Sequence, residues 1–97
     1  MDKIIYARVS SREKQVDLTS QIAYLRNRYP NRELIQDIGS GLNFKRKGFN
    51  ALLERILSGN VAAVVVTHRD RLCRFGFELV ESIARKFNCN IVVLDDS

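Results

Sequence analysis

Residues Val61–Val66 read VAAVVV, and this short apolar run is the clearest guide to the fold. Six consecutive residues without a polar side chain predict a strand buried on both faces, as in a parallel sheet covered by helices. The segment Lys3–Val9, KIIYARV, has the same character apart from Arg8. Two further strands are predicted at Glu33–Ile38 and Ile91–Leu94.

Helical patterns occupy the segments between these strands. We expect Asp17 or Thr19 to cap the first helix, Pro30 to end it, and Gly59 to close the second. The order β-α-β-α-β-α-β predicts an α/β fold of three layers, with a mostly parallel four-stranded sheet and helices on both faces. The predicted helices run from the cap to about Tyr29, over Gly48–Ser58 and over Phe77–Phe87.

Length and composition limit the kinds of partner and site that the chain can have. The chain has 97 residues, enough for one domain. Sixteen Lys and Arg against eleven Asp and Glu give a net charge of +5, which favours phosphate backbones or anionic surfaces as partners. Cys73 and Cys89 form no CxxC pair and have no histidine cluster beside them, so a zinc site is not expected. The chain shows no membrane span and no export signal, and we expect a cytoplasmic protein.

The predicted site lies where the strands end, because ligands of parallel sheets bind beyond the carboxyl ends of the strands. Arg8 and Ser10 are two residues apart at the end of the first strand and should share a face. A guanidinium and a hydroxyl thus project together at the carboxyl end of a buried strand. A serine hydroxyl is a weak nucleophile that needs activation by its surroundings.

Basic residues are concentrated in the loops after the second and third strands. If the third loop is helical, Arg71 and Arg74 are neighbours on one face, and Asp70 is placed to orient Arg74. Arginine binds phosphate oxygens bidentately and stays charged, so several arginines can stabilise phosphoryl transfer without a metal ion. Arg69 in the third loop and the run Lys45-Arg46-Lys47 in the second add further positive charge at the same edge.

The residues alone leave other interpretations open. Arg8 can pair with Asp70 or reach solvent, Ser10 can be a turn residue, and the basic runs can be exposed surface. A hydrolase triad with His68 and Asp70 is conceivable, but the G-x-S-x-G pattern is missing. A non-catalytic module that binds DNA or a nucleotide also fits. A flavodoxin-like or receiver-like domain would need an acidic pocket or a flavin loop, and these loops are basic.

Two motifs resemble a known family. Tyr6–Ser11, YARVSS, resembles the Y-x-R-V-S-[ST] signature of the resolvase/invertase serine recombinases, and Asp70–Arg74, DRLCR, is similar to their D-R-L-x-R segment. The segment Thr67–Gly76, THRDRLCRFG, is similar to serine transposases of insertion sequences. The resemblance covers nearly the whole chain. It also includes Ser40-Gly41, Arg46-Lys47-Gly48 and Gln21, which fall at the family's S-G, R-K-G and first-helix glutamine positions.

The resemblance implies a resolvase-like catalytic domain that cleaves DNA through Ser10. Ser10 would form a transient phosphoserine link to one DNA end, and strand exchange and religation would follow without cofactor, metal or ATP. It implies that Asp70 orients arginines or assists proton transfer. It implies that Arg8, Arg71 and Arg74 bind the scissile phosphate, with Gln21, Ser40, Arg46, Lys47 and Arg69 as supporting or phosphate-binding residues.

The resemblance also implies partners and missing parts. The partners are double-stranded DNA and further copies of the protein, from dimer to tetramer, in a prokaryotic, nucleoid-associated setting. Family members carry a separate DNA-binding domain and a long oligomerisation helix, and neither is visible in this sequence. We therefore expect residues 1–97 to be a truncated catalytic core that binds DNA weakly and does not complete recombination alone.

Overall fold

A computed structural model describes residues 2–95, and their fold follows the predicted alternation of strands and helices. The predicted domain bounds also include residues 1, 96 and 97, which lie outside the described residues. In chain order the elements are β1 (Asp2–Val9), a single 3-10 turn (Arg12–Lys14), α1 (Gln15–Arg28), β2 (Glu33–Ile38), α2 (Lys47–Leu57), β3 (Val61–Val66), α3 (Arg69–Leu72), α4 (Phe77–Lys86) and β4 (Asn90–Val93).

The four strands form one sheet in the order β2-β1-β3-β4, and every pairing is parallel. The predicted α/β class is confirmed, and the sheet is fully rather than mostly parallel. Val9 at the end of β1 is in register with Ile38 at the end of β2, and the Gly39 N–H donates to the Val9 carbonyl at 2.9 Å. The loops that follow these strands therefore begin side by side.

Helices cover both faces of the sheet, as predicted. The larger core lies between the sheet and α2 and α4, where Tyr6, Phe49 and Leu52 are almost completely buried. On the opposite face α1 packs Leu18 and Leu25 against the sheet. Complete burial of a side chain of this size stabilises the fold by about 1.5–3 kcal/mol. The two cores fix the sheet, and hence the edge from which the site loops emerge.

The start of α1 differs from the prediction. The chain passes from the 3-10 turn directly into a helix that begins at Gln15, so neither Asp17 nor Thr19 is a cap. The Thr19 hydroxyl instead donates to the Gln15 carbonyl at 3.0 Å, inside the helix. The other predicted bounds differ by a single residue or not at all. Gly59 follows α2 with φ of +81°, the left-handed conformation predicted for it.

Within residues 2–95, none of the helices has the length and apolar character needed to span a lipid bilayer.

Candidate active site

A cleft of about 150 Å³ opens where the loops after β1, β2 and β3 meet. Ser10 contributes an exposed side chain from the end of β1, and its hydroxyl has no hydrogen-bond partner among residues 2–95. The shared face predicted for Arg8 and Ser10 is consistent with this cleft, which both residues line. The complete lining is Arg8, Ser10, Lys14, Ser40, Gly41, Asp70, Arg71 and Arg74.

Arg8 is only 3% exposed, and main-chain oxygens rather than a carboxylate hold its guanidinium. Nε donates to the Arg71 carbonyl at 2.9 Å, Nη1 to the Gly39 carbonyl at 2.8 Å, and Nη2 to the Asp70 carbonyl at 2.6 Å. A guanidinium has five N–H groups, so two remain for a ligand. Burial, and then the charge of Arg46, lowers the pKa of Arg8. Arg8 thus joins the second and third loops while presenting positive charge to the cleft.

Gln21 holds the main chain of Arg8 from the side of α1. The Arg8 N–H donates to Gln21 Oε1 at 3.0 Å, and Gln21 Nε2 donates to the Arg8 carbonyl at 3.1 Å. The Gln21 side chain is buried, so both bonds are shielded from water. This geometry fits the supporting position that the resemblance implied for Gln21.

Arg71 and Arg74 reach the cleft from different backbone elements. From the sequence we expected the two arginines to share a helix face if this loop is helical. Helix α3 ends at Leu72 and Cys73 is extended, so they do not share one. Arg71 Nη1 donates to the Arg8 carbonyl at 3.2 Å. The Arg74 N–H donates to the Gly41 carbonyl at 2.9 Å, and a Cβ at Gly41 would lie 2.5 Å from Arg74 Cγ. The Arg74 side chain therefore lies directly over a glycine.

Asp70 and Ser40 both line the cleft, but their hydrogen-bond partners were not predicted from the sequence. Among the described residues the Asp70 carboxylate makes no ion pair with Arg74; instead, the Asp70 main chain accepts from Arg8. Ser40 Oγ accepts from the Leu42 N–H at 3.1 Å, and the Asn43 N–H donates to the Ser40 carbonyl at 3.0 Å. Ser40 thus shapes the second loop at the mouth of the cleft.

Arg46 lies beneath the cleft rather than in it. It is 4% exposed, its guanidinium lies 4.7 Å from the centre of the Phe49 ring, and Nη2 donates to the Leu72 carbonyl at 2.5 Å. A Cβ at Gly39 would lie 3.3 Å from Arg46 Cγ. Arg46 therefore connects the second loop to the end of α3, and the alternative of an exposed basic run does not hold at this residue.

Lys47 and Arg69 lie outside the cleft. Lys47 is the first residue of α2 and lines a separate groove beside Gln36. Arg69 lies 4.9 Å from the centre of the Phe77 ring, and its Nη1 is 3.7 Å from Glu78 Oε1. The predicted convergence of basic groups on one site therefore does not extend to these two side chains, because their helices direct them elsewhere. A contact with DNA remains a prediction for both.

A buried pair of polar side chains, missed from the sequence, fixes the start of α2. Tyr6 donates its hydroxyl to Asp37 Oδ2 at 2.5 Å. The same carboxylate accepts from the N–H groups of Gly48 and Phe49, each at 2.8 Å. Burial, followed by this hydrogen bond, raises the pKa of Tyr6. The partners are 31 residues apart, and the only sequence signal was a carboxylate in a strand. In the cleft itself, Lys14 of the 3-10 turn is a lining residue that the sequence did not single out.

His68 does not take part in this cleft. Its Nε2 lies 3.1 Å from Asp95 Oδ2 and its Nδ1 lies 3.2 Å from Thr67 Oγ1, in a different groove beside α1. The Ser-His-Asp arrangement is therefore not formed. Over residues 2–95 no three His, Cys, Asp or Glu side chains are grouped in a way that could hold a metal ion.

Comparison with known proteins points to one family. The sequence profile described as "Resolvase, N terminal domain" matches residues 3–97. The chain is 47% identical over 85 residues to the protein named "Putative resolvase L103" of Acanthamoeba polyphaga mimivirus, covering 88% of this chain and 44% of that protein. The chain spans about half the length of the curated resolvases it matches.

Solved structures give the same result. A serine recombinase from Sulfolobus solfataricus superposes with a TM-score of 0.94 at 47% identity, covering 99% of this chain and 69% of that one. The C-terminal catalytic domain of ISC1926 TnpA, an IS607-like serine recombinase, superposes with a TM-score of 0.93 at 38% identity, covering 100% and 72%.

Proposed function

Because this chain belongs to the resolvase N-terminal domain family of serine recombinases, we propose that it cleaves and rejoins DNA with Ser10 as the nucleophile. One observation carries the proposal. An exposed serine hydroxyl without a partner among the described residues lines the same cleft as the side chains of Arg8, Arg71 and Arg74.

The proposed reaction exchanges one phosphate ester for another. Ser10 Oγ attacks the phosphorus of a DNA phosphodiester, forming an Oγ–P bond as the bond from phosphorus to one deoxyribose oxygen breaks. The Ser10 proton departs, and the leaving oxygen takes up a proton to become a free hydroxyl. Reversal of the attack by a hydroxyl from another DNA end restores a phosphodiester. Bond types are conserved, so the cycle needs no ATP.

The arginines supply the electrostatic stabilisation that such a transfer needs. Arg8 keeps two N–H groups for phosphate oxygens while three carbonyls fix its plane, and preorganised donors of this kind stabilise developing charge. Arg71 and Arg74 complete the cationic wall of the cleft. We assign proton transfer to Asp70, because it lines the same cleft as Ser10 and carries the only carboxylate among the lining residues. Gln21, Ser40 and Arg46 hold these groups in place through the contacts described above.

The proposed partner is double-stranded DNA, and the proposed working unit contains several copies of the protein. Each chain carries one Ser10 cleft, so cutting both strands of one duplex needs two copies. Exchange between two duplexes needs four. These numbers support a dimer for cleavage of one duplex and a tetramer for exchange between two.

The test traps the covalent intermediate. Duplexes that bind the protein are first selected from a randomised pool. Each selected duplex is then synthesised again with a nick beside one phosphate, and the position of the nick is varied. After attack at that phosphate, the short strand with the free hydroxyl diffuses away, so religation is blocked. Labelled strand that stays attached to the protein in detergent marks the phosphoserine link. We expect attachment with the natural chain and with Ser11→Ala, and none with Ser10→Ala. Retention of duplexes without attachment would favour a binding module and overturn the proposal.

A further inference from the structure

Three large apolar side chains are exposed on two loops beside the cleft. Leu42 is 63% exposed, Phe44 is 41% exposed and Phe75 is 69% exposed. We call these three residues the apolar rim. Single exposed apolar side chains are common on proteins, whereas a group of them around a polar cleft marks a binding surface.

The rim belongs to the mouth of the cleft. The Arg74 N–H donates to the Gly41 carbonyl, and both residues line the cleft. Leu42 directly follows Gly41 in the chain, and Phe75 directly follows Arg74. Leu42 and Phe75 are therefore carried by the same two loops as the cleft residues Gly41 and Arg74.

The loops are held in this exposed arrangement by specific contacts. Phe44 stacks on Phe49 with ring centres 5.5 Å apart, and Asn50 Nδ2 donates to the Phe44 carbonyl at 2.8 Å. A Cβ at Gly76 would lie 3.9 Å from the tip of the Phe44 ring, which brings the two loops together. Gly76 itself has φ of +73°, a turn that ends the third loop immediately after Phe75.

The positive charge of the residues beside the apolar rim indicates which kind of partner binds there. The segment from Gly39 to Asn50 contains no acidic residue, and its Lys45, next to Phe44, is exposed. The stretch from Arg71 to Phe77 contains two arginines and no acidic residue, and Arg74, next to Phe75, is exposed. A polyanion complements this surface, whereas a second copy of the same surface would bring like charges together. An apolar rim around a phosphate site matches the nucleoside parts of DNA, since deoxyriboses flank each phosphate and apolar side chains can insert between base steps of a duplex.

We infer that the apolar rim packs against the sugars and bases next to the phosphate held in the cleft, so that DNA is gripped by apolar as well as ionic contacts. The inference rests on the proposed function, because it presumes a DNA phosphate between Arg8 and Arg74. It adds that Phe75 and Leu42 contribute affinity that salt does not screen.

The experiment measures duplex affinity over a series of salt concentrations, with Ser10→Ala in every protein so that no strand is cut. The rim variants are Phe75→Ala and Leu42→Ala. Their matched controls are Phe87→Ala and Leu57→Ala, an exposed phenylalanine and an exposed leucine at the ends of α4 and α2, on the opposite edge of the sheet. Arg74→Ala serves as the ionic comparison.

We expect Phe75→Ala to weaken binding about ten-fold, the size expected when one large apolar side chain no longer becomes buried against DNA. The dependence of log Kd on log salt should keep its slope, because no phosphate contact is lost. Leu42→Ala should weaken binding less, and both controls should stay within about two-fold of the parent. Arg74→Ala should lower the slope. A lower slope for Phe75→Ala would show that it acts only by displacing Arg74, and would overturn the inference.

Other outcomes separate the two proposals. If Arg74→Ala loses affinity while the rim variants match their controls, the inference fails and the proposed function stands. If the rim variants change the oligomeric state in size-exclusion chromatography and leave DNA affinity intact, a second copy occupies the rim, and the inference is wrong. If the parent protein retains no duplex at any salt concentration, both proposals fail.

Discussion

A methyl group at Gly41 should damage the chemistry and leave the fold intact. The Cβ of Gly41→Ala would lie 2.5 Å from Arg74 Cγ and 3.0 Å from Arg8 Nη2. Carbon atoms pack at about 3.5–4.0 Å, so the Arg74 side chain must move by roughly 1 Å or more. A misplacement of about 1 Å can slow a reaction about 100-fold. We therefore expect the rate of covalent attachment to fall by about two orders of magnitude.

The expected effect of Gly41→Ala on stability is small. Gly41 is not in the left-handed region, and Arg74 is exposed and can swing into solvent. The free energy of unfolding from urea titrations should change by less than about 1 kcal/mol, since an alanine compatible with the backbone also restricts the unfolded chain. Attachment of nicked, labelled duplex under single-turnover conditions gives the rate.

Gly59→Ala is the matched control for this prediction. Nothing lies within 4 Å of the Cβ that it would add, but its φ of +81° disfavours any side chain. It should lower the free energy of unfolding by about 1–2 kcal/mol and leave the attachment rate unchanged in the folded protein. A Gly41→Ala protein that attaches DNA as fast as the parent would refute the placement of Arg74 at the reacting phosphate.

Three further predictions concern the groups around the cleft. Arg8→Lys should abolish attachment and lower the free energy of unfolding by about 2–4 kcal/mol, because a single ammonium nitrogen cannot reach carbonyls that three separate guanidinium nitrogens serve. The attachment assay and urea titration measure these two effects. Gln21→Leu leaves the Arg8 N–H and carbonyl unpaired and should cost about 1–3 kcal/mol in the same titration, with slower attachment. Because the folded pKa of Tyr6 lies above its ordinary value of 10.0, the unfolded chain releases that proton first, and stability should fall as the pH rises above 10. Tyr6→Phe should be less stable at neutral pH and show a shallower decline above pH 10, and an unchanged decline would contradict the assignment.

The fold was largely predictable because its signals are local. Apolar runs such as Val61–Val66 need no knowledge of distant residues, and the alternation with helical segments implies a parallel sheet. The start of α1 was not predictable in this way. The 3-10 turn at Arg12–Lys14 has no cap residue to mark it, since Ser11 makes no side-chain cap bond, and it moves the helix start ahead of Asp17.

The site was predictable where its residues lie near the carboxyl ends of the strands or in the loops that follow them. Sheet topology alone brings the ends of β1, β2 and β3 together, and six residues singled out from the sequence line the cleft: Arg8, Ser10, Ser40, Asp70, Arg71 and Arg74. Side-chain direction within loops was beyond the sequence. Arg46 turns inward onto Phe49, and Lys47 begins a helix that leads away. The Tyr6–Asp37 contact joins strands 31 residues apart and has no local signature.

The central claim, that Ser10 is the nucleophile, is tested most directly by locating the covalent bond. Cleavage of the trapped complex after arginine and lysine releases the peptide Val9–Arg12, VSSR, which contains both Ser10 and Ser11. Fragmentation of this peptide in a mass spectrometer shows which serine carries the nucleotide phosphate. We expect the added mass on Ser10. The added mass on Ser11, or on any peptide other than Val9–Arg12, would contradict it.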